Sequence, residues 1–208
     1  MQTALLTFTL AASSLWAQYK SEPAGTPPTE LAPVISQALQ QQGTKIVDAG
    51  EKVYCEIWLR TSMPSGTKSR EESVTLPTIP HGTLLGAIRF SGQGADRRGQ
   101  TIKPGVYTLR YSLQPLNGDH LGVSPQRDFL VMAPAADDKD VNATPDFDTL
   151  MGMSRKASGT PHPAVLSVWG AGAGDATGFA KQGDADWVLT TKISSTPVSI
   201  ILIGQAQS

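Results

Sequence analysis

Three histidines are the residues of this chain best suited to binding a transition metal. His81, His120 and His162 each lie in a turn-like context beside a predicted strand. Three imidazoles can hold a zinc or copper ion if they converge on it. No two of them are closely spaced, so a site would require three separate loops to meet. The alternative is that each histidine only satisfies the backbone of its own loop.

A group of acidic residues has part of the spacing of a calcium-binding loop. Asp138, Asp140 and Asn142 occupy alternate positions, as the first oxygen donors of such a loop do. An EF-hand needs glycine where this chain has Ala143, and a bidentate glutamate where it has Thr149. These departures exclude an EF-hand. They leave a looser surface calcium site or a solvated linker as the two interpretations.

The connection 116–128 carries the residues that we expect to contact a ligand. His120, Arg127 and Asp128 lie in it between two predicted strands, and loops on a rigid scaffold commonly supply binding groups. Arg127 and Asp128 could instead close the loop through hydrogen bonds. The segment Gly122–Gln126 departs from the Gly-x-Ser-x-Gly elbow of hydrolases at its last position, which disfavours a catalytic serine here.

Two aromatic residues form a further candidate binding surface. Tyr54 and Trp58 share one face of the predicted strand 52–60, and an exposed aromatic stripe suits stacking against sugar rings. The same face could instead be covered by an N-terminal helix whose apolar side chains need a partner. Cys55 lies on the opposite face and is interpreted as a small core residue; as the single cysteine, it has no disulfide partner within the chain.

Short strands must position most of these residues, because apolar and polar side chains alternate from Lys45 onward. The 20 glycines and 15 prolines fall mostly between the alternating runs. This pattern predicts an all-β fold, an antiparallel β-sandwich of immunoglobulin-like or related type, with an open barrel as the alternative. The predicted strands are 45–48, 52–60, 73–79, 83–91, 105–114, 127–133, 164–170, 186–193 and 198–204.

The segment Pro104–Tyr111 resembles the Pro-Gly-x-Tyr strand opening of many secreted bacterial immunoglobulin-like sandwiches. The resemblance covers eight residues and implies a fold and no activity. Alternation also assigns side chains to the core. They are Val53, Ile57, Leu59, Ile88, Phe90, Leu109, Phe129, Val131, Leu166, Val168, Leu189, Ile200 and Leu202.

Two short helices accompany the predicted strands. The first is expected over Pro33–Gln42, because proline suits the first helical position and glycine follows the last. The late helix is expected to have Thr144 as its N-cap and Pro145 as its first residue, and to run to Met151 with a one-sided apolar face.

The N-terminal residues have the composition of a secretory signal peptide. Residues 1–17 carry no charge, are mostly apolar and end in small side chains. We therefore expect a secreted or periplasmic protein, with a disordered leader over 18–29 and a single domain over 30–208. No later apolar run approaches the roughly 20 residues of a membrane span, so we expect no integral membrane protein after export.

The net charge of −1, with scattered lysines and arginines, argues against a nucleic-acid partner. The function that we expect is a non-catalytic accessory or binding protein that needs no cofactor and contacts an unknown ligand or envelope protein. One alternative is a zinc or copper protein, or a metal-dependent enzyme, that uses the three histidines. The other is a passive structural component of the cell envelope.

Overall fold

The computed structural model of the protein describes residues 19–116 and 126–206. The predicted signal peptide and His120 lie outside these residues. The helices are α1 (Pro33–Ala38) and α2 (Phe147–Ser158), and the strands are β1 (Lys20–Pro23), β2 (Thr44–Val47), β3 (Val53–Leu59), β4 (Leu84–Phe90), β5 (Gly94–Ala95), β6 (Thr101–Ile102), β7 (Gly105–Leu113), β8 (Asp128–Pro134), β9 (Val165–Gly170), β10 (Gly178–Gln182), β11 (Asp186–Ile193) and β12 (Thr196–Ile203).

Ten of these strands form one antiparallel sheet in the order β1-β2-β3-β4-β7-β8-β9-β12-β11-β10. The two end strands of this order contact each other. The ring of Tyr19, beside β1, meets the ring of Trp187 on β11 with 5.4 Å between centroids. The all-β, antiparallel prediction is therefore confirmed. The sheet is nearly closed and barrel-like, however, and does not divide clearly into two layers.

Inward-facing side chains of this sheet form the principal core. Ten of the thirteen residues that alternation assigned to the core lie in it, including Ile57, Leu109 and Leu202. Val53 is only partly buried, at the edge of β3. Phe129 and Val131 are buried on the outer face of β8 instead, because α2 covers that face. Neither helix among the described residues is long and apolar enough to cross a membrane.

The segment expected to be a disordered leader is partly ordered, which corrects that prediction. Lys20–Pro23 pairs with β2 as an edge strand. The indole Nε1 of Trp58 donates a hydrogen bond of 2.8 Å to the carbonyl of Gly25. Lys45 also forms a salt bridge of 2.9 Å to Glu22. These contacts come from residues far along the chain, so the local Pro, Gly and Ser composition does not reveal them.

Other elements also differ from the predictions, among them α2, which ends at Ser158 rather than Met151. Residues 73–79 form no strand, because backbone N–H groups there donate to the carboxylate of Asp128 rather than to a neighbouring strand. Helix α1 ends at Ala38 rather than Gln42. Helix α2 begins later than expected, because the side chain of Asp146 is the N-cap and accepts the N–H of Thr149 at 2.8 Å.

A buried ion pair ties the segment before α2 to the outer face of β7. Arg110 is fully buried, and its Nε and Nη2 donate to the two carboxylate oxygens of Asp138 at 2.6 and 2.7 Å. Its remaining N–H groups donate to three backbone carbonyls, those of Gly82, Asp140 and Ala143. All five guanidinium donors thus have acceptors. This network fixes where the chain enters α2.

Candidate ligand-binding site

A groove of about 240 Å³ lies between α2 and the outer face of the sheet. Three basic residues border it, namely Arg98, Arg155 and His162. The apolar side chains that line the groove include Leu113, Phe129, Val131, Phe147, Met151 and Val165. An apolar cavity with a few convergent polar groups is the usual form of a small-molecule site.

Arg98 is held beside the groove by a turn built around a buried carboxylate. The side chain of Asp96 is 2% exposed and accepts the backbone N–H groups of Arg98 at 2.9 Å and Gln100 at 2.8 Å. Its other oxygen accepts the backbone N–H of Val165 on β9, at 3.2 Å. Burial raises the pKa of Asp96. The carboxylate thereby joins the turn to the sheet and fixes the Arg98 backbone.

Arg155 and His162 are positioned by the last turn of α2 and the loop that follows it. The Nε of Arg155 donates to the carbonyl of Pro161 at 3.1 Å. The Oγ of Ser158 donates to the carbonyl of His162 at 2.6 Å, and the His162 N–H donates to Thr160 Oγ1 at 3.0 Å. Gly159 ends the helix in the left-handed conformation that glycine favours. The sequence therefore turns back sharply and places both side chains at the groove.

The guanidinium groups of the two arginines at the groove are not paired with carboxylates of the described residues. Neither Arg98 nor Arg155 forms a salt bridge with any residue in 19–116 or 126–206. No aspartate or glutamate of that part of the chain lines the groove. The site is therefore electrostatically complementary to an anion.

A second, wider cavity of about 590 Å³ lies on the other side of Phe147. Both cavities are lined by Phe147, Leu113 and Pro115. His81 lines the second one, and its Nδ1 lies 3.2 Å from the hydroxyl of Ser112, a residue that lines the groove. The two cavities are thus neighbours that share a wall.

Asp128, one of the predicted contact residues, is structural. Its side chain is fully buried, and its carboxylate accepts the N–H groups of Thr75 and Leu76 at 2.9 and 3.0 Å. The hydroxyl of Tyr111 donates to it at 2.7 Å. A carboxylate surrounded by donors in this way is closed to a ligand, so the contact prediction for Asp128 is wrong.

Arg127, the neighbouring prediction, is also engaged in the fold. Its Nε donates to the carbonyl of Gln114 at 2.8 Å, and its guanidinium forms a salt bridge of 2.8 Å to Glu71. The side chain nevertheless lines the second cavity. His120, the third residue predicted in this connection, lies outside the described part of the chain.

The aromatic surface predicted on β3 is not exposed. Trp58 is 1% exposed and packs beneath α1 against Ile35 and Leu39, as in the covered-face alternative. Tyr54 lies at a bulge in the pairing of β2 and β3 and packs beside the principal core. Burial raises the pKa of Tyr54 to about 12, and its hydroxyl accepts the N–H of Ala95 at 3.2 Å. Trp58 is therefore not available for stacking against a sugar, and the partly buried ring of Tyr54 packs in a different cluster from Trp58.

The proposed calcium ligands do not form a site. Both carboxylate oxygens of Asp138 face the Arg110 guanidinium, which occupies the place a cation would need. Asp140 turns its Oδ1 to the backbone N–H of Asn142, at 2.8 Å, which is an ordinary loop contact. No group of three potential metal ligands occurs among the residues that the structure covers. His81 and His162 line different cavities, and the metal hypothesis that also needs His120 stays a prediction.

The sequence did not indicate Arg98 and Arg155 as site residues, because they lie 57 positions apart and no local motif links them. The one available signal was the paired arginines after Asp96, in a turn-forming segment rich in glycine. Comparison with protein-family models, with curated proteins and with solved structures found no match for this chain. The site is therefore interpreted from its own chemistry.

Proposed function

We propose that this protein is an exported, non-catalytic binding protein whose groove beside α2 takes a small amphipathic anion. The observation that carries the proposal is an apolar groove bordered by Arg98 and Arg155, neither of which has an acidic partner among the described residues. Unpaired arginines beside a desolvated surface recognise carboxylate or phosphate oxygens through charge-assisted hydrogen bonds.

The size of the groove limits the ligand. A volume of about 240 Å³ corresponds to about eight non-hydrogen atoms, if each takes roughly the 30 Å³ of a water molecule in the liquid, so octanoate would fill this open groove and extend slightly beyond it. An aliphatic or aromatic carboxylate of that size would place its chain or ring against Phe129, Val131 and Met151. Its charged end would face the arginines.

The groove favours a binding role over a passive envelope component. A passive component would be expected to offer an exposed strand edge and no concave site. The apolar C-terminal strand β12 does not offer such an edge, because it is a central strand between β9 and β11. The free edges of the described sheet belong to β1 and β10, which lie against each other.

Export is supported by the apolar, uncharged residues 1–17. The test is the intact mass of the protein recovered outside the cytoplasm. We expect a chain that begins at Gln18. Recovery of only the full-length chain from the cytoplasm would contradict this part of the proposal.

Titration calorimetry with octanoate tests the binding role. We expect octanoate to bind more tightly than octan-1-ol or octylamine, since these keep the chain and change only the charge. Arg98→Gln and Arg155→Gln should each weaken octanoate binding by about 1.5–3 kcal/mol, the range for a hydrogen bond to a charged group.

Lys52→Gln is the matched control, because Lys52 is exposed in the turn before β3 and does not line the groove. It removes the same charge and should leave binding unchanged. Equal binding of octanoate and octan-1-ol, or normal octanoate binding by the double arginine variant, would refute the proposal.

A further inference from the structure

The second cavity contains a buried polar atom that the fold leaves unpaired. The Nδ1 of His81 lies 3.2 Å from the Oγ of Ser112. The Nε2 of the same ring is buried and has no hydrogen-bond partner among the described residues. Buried nitrogens of this kind are uncommon in folded proteins, because their lost hydration is not replaced. A ligand group or a water molecule is the ordinary explanation.

The backbone next to His81 is fixed by the surrounding fold. Gly82 follows it with φ of +77°, and a Cβ at that position would lie 2.7 Å from the carbonyl oxygen of Pro145. The carbonyl of Gly82 accepts a hydrogen bond from Arg110 at 2.7 Å. The turn therefore packs against the segment that leads into α2, and the contact of Nδ1 with Ser112 Oγ orients the imidazole that it carries.

Phe147 separates this imidazole from the groove. Its ring centroid lies 6.0 Å from that of His81, and Phe147 lines both cavities. It is the first residue of α2 and remains 42% exposed, so its side chain is packed on one side only. Because Phe147 lines both cavities and is partly exposed, a ligand that passes over its ring would reach from one cavity into the other.

We propose that the ligand extends past Phe147 and carries at its far end a hydroxyl or similar group that hydrogen bonds to His81 Nε2. This inference rests on the proposed function and narrows the ligand class to elongated carboxylates with a polar far end. The wider cavity suits such an end, because Thr67, Ser69 and the Arg127–Glu71 pair also line it. A purely apolar chain would bury those groups without compensation.

The test compares 12-hydroxydodecanoate, dodecanoate and octanoate by titration calorimetry on the full chain. We expect the terminal hydroxyl to tighten binding about tenfold over dodecanoate, which is the size of one well-formed hydrogen bond. His81→Asn keeps an amide near the position of Nδ1 and removes Nε2, so it should reduce this preference to below about twofold. His81→Gln places an amide near the position of Nε2 and should retain most of it. Octanoate should bind all three proteins alike.

The outcomes separate this inference from the proposed function. If octanoate binds but 12-hydroxydodecanoate binds no more tightly than dodecanoate, the proposed function is retained and the role of His81 is refuted. Retention of the preference in His81→Asn refutes it as well. If none of the alkanoates binds, the proposed function fails and this inference fails with it.

A measurement on the unmodified protein removes any dependence on how the variants fold. The 15N resonance of His81 Nε2 should shift when 12-hydroxydodecanoate is added and should not shift with octanoate. An unchanged resonance with both ligands would mean that the nitrogen meets only a buried water molecule, and the proposal would be abandoned.

Discussion

Replacing Asp138 with alanine would leave the guanidinium of Arg110 buried without its counter-charge. In the folded protein the Arg110 side chain has no exposed surface, and two of its nitrogens bond to the carboxylate at 2.6 and 2.7 Å. The hydroxyl of Thr108 donates to the same carboxylate at 2.5 Å. The substitution therefore removes the acceptor of three buried donors and cannot be compensated by solvent.

The expected loss is about 3–5 kcal/mol in the free energy of unfolding, the range for removal of one partner from a buried ion pair. Domains of this size are stabilised by about 5–15 kcal/mol, so Asp138→Ala should remain foldable but marginal. The three remaining bonds from Arg110 to backbone carbonyls keep the guanidinium partly satisfied. They are the reason to expect survival of the fold.

Urea denaturation followed by tryptophan fluorescence and far-ultraviolet circular dichroism measures this loss. Asp137→Ala is the matched control, since its carboxylate forms a more exposed salt bridge of 3.1 Å to Lys156. That variant should lose no more than about 1 kcal/mol. A second comparison is the double variant Arg110→Met and Asp138→Leu, which removes both charges and should recover much of the stability.

A free energy of unfolding for Asp138→Ala within about 1 kcal/mol of that of the unmodified protein would show that the buried ion pair does not carry the expected stability. The reasoning is also refuted if Asp137→Ala is as damaging as Asp138→Ala, because burial would then not decide the cost. A double variant less stable than Asp138→Ala would show that packing around the pair, rather than the unpaired charge, dominates.

Burial raises the pKa of the Cys55 thiol and leaves it unexposed, so a disulfide reagent should label it only after unfolding; stoichiometric labelling of the native protein would contradict this. The hydrogen bonds from Thr149 hold the pKa of Asp146 below its usual value. The cap therefore stabilises the fold fully at pH values above the usual pKa, and this stabilisation is lost as the pH falls through the lowered pKa. Asp146→Asn should flatten the melting temperature across that acidic range, and an unaltered profile would count against the cap. Gly82→Ala should cost about 1–3 kcal/mol through its positive φ and the close backbone contact. Gly152→Ala, in open space within α2, should instead stabilise by about 0.5–1 kcal/mol in the same melting experiment.

Alternation predicted eight of the twelve strands and most of the inner face of the sheet, because inward side chains are apolar and outer faces not covered by a helix carry more polar residues. The strand 186–193 and its inward Leu189 are cases in which the local pattern was sufficient. The pattern was insufficient at Phe129 and Val131. There both faces of β8 are buried, so apolar residues run continuously and the period of two loses its meaning.

Closure of the sheet could not be predicted from local residues. It depends on β1, which lies in a segment whose composition is typical of a flexible leader. Its order comes from pairing with β2 and from the contact of Tyr19 with Trp187. These partners are distant in sequence, and only the completed fold brings them together.

The roles of two acidic residues also could not be predicted from their local sequence. Asp128 and Asp138 have the side chain that is most often found on surfaces, and both stand in segments that look like loops. Each is buried because a distant group needs a counterpart, namely Arg110 for Asp138 and the backbone of residues 75–76 for Asp128. A binding role was inferred from residue type, whereas the donors around each carboxylate decide its role.

The position of the groove follows from how the interior is filled. A sheet of ten strands that nearly closes on itself is wider than an eight-stranded barrel, whose interior is just filled by side chains, so it could enclose a ligand. Here Phe90, Tyr107 and Tyr111 lie in the interior with little exposed surface and take up that space. The outer face is different, because α2 covers β8 with a single apolar stripe, including Met151, and leaves a gap at its side. The proposed binding site therefore lies outside the barrel-like sheet, where the charges of two arginines can reach it without being buried.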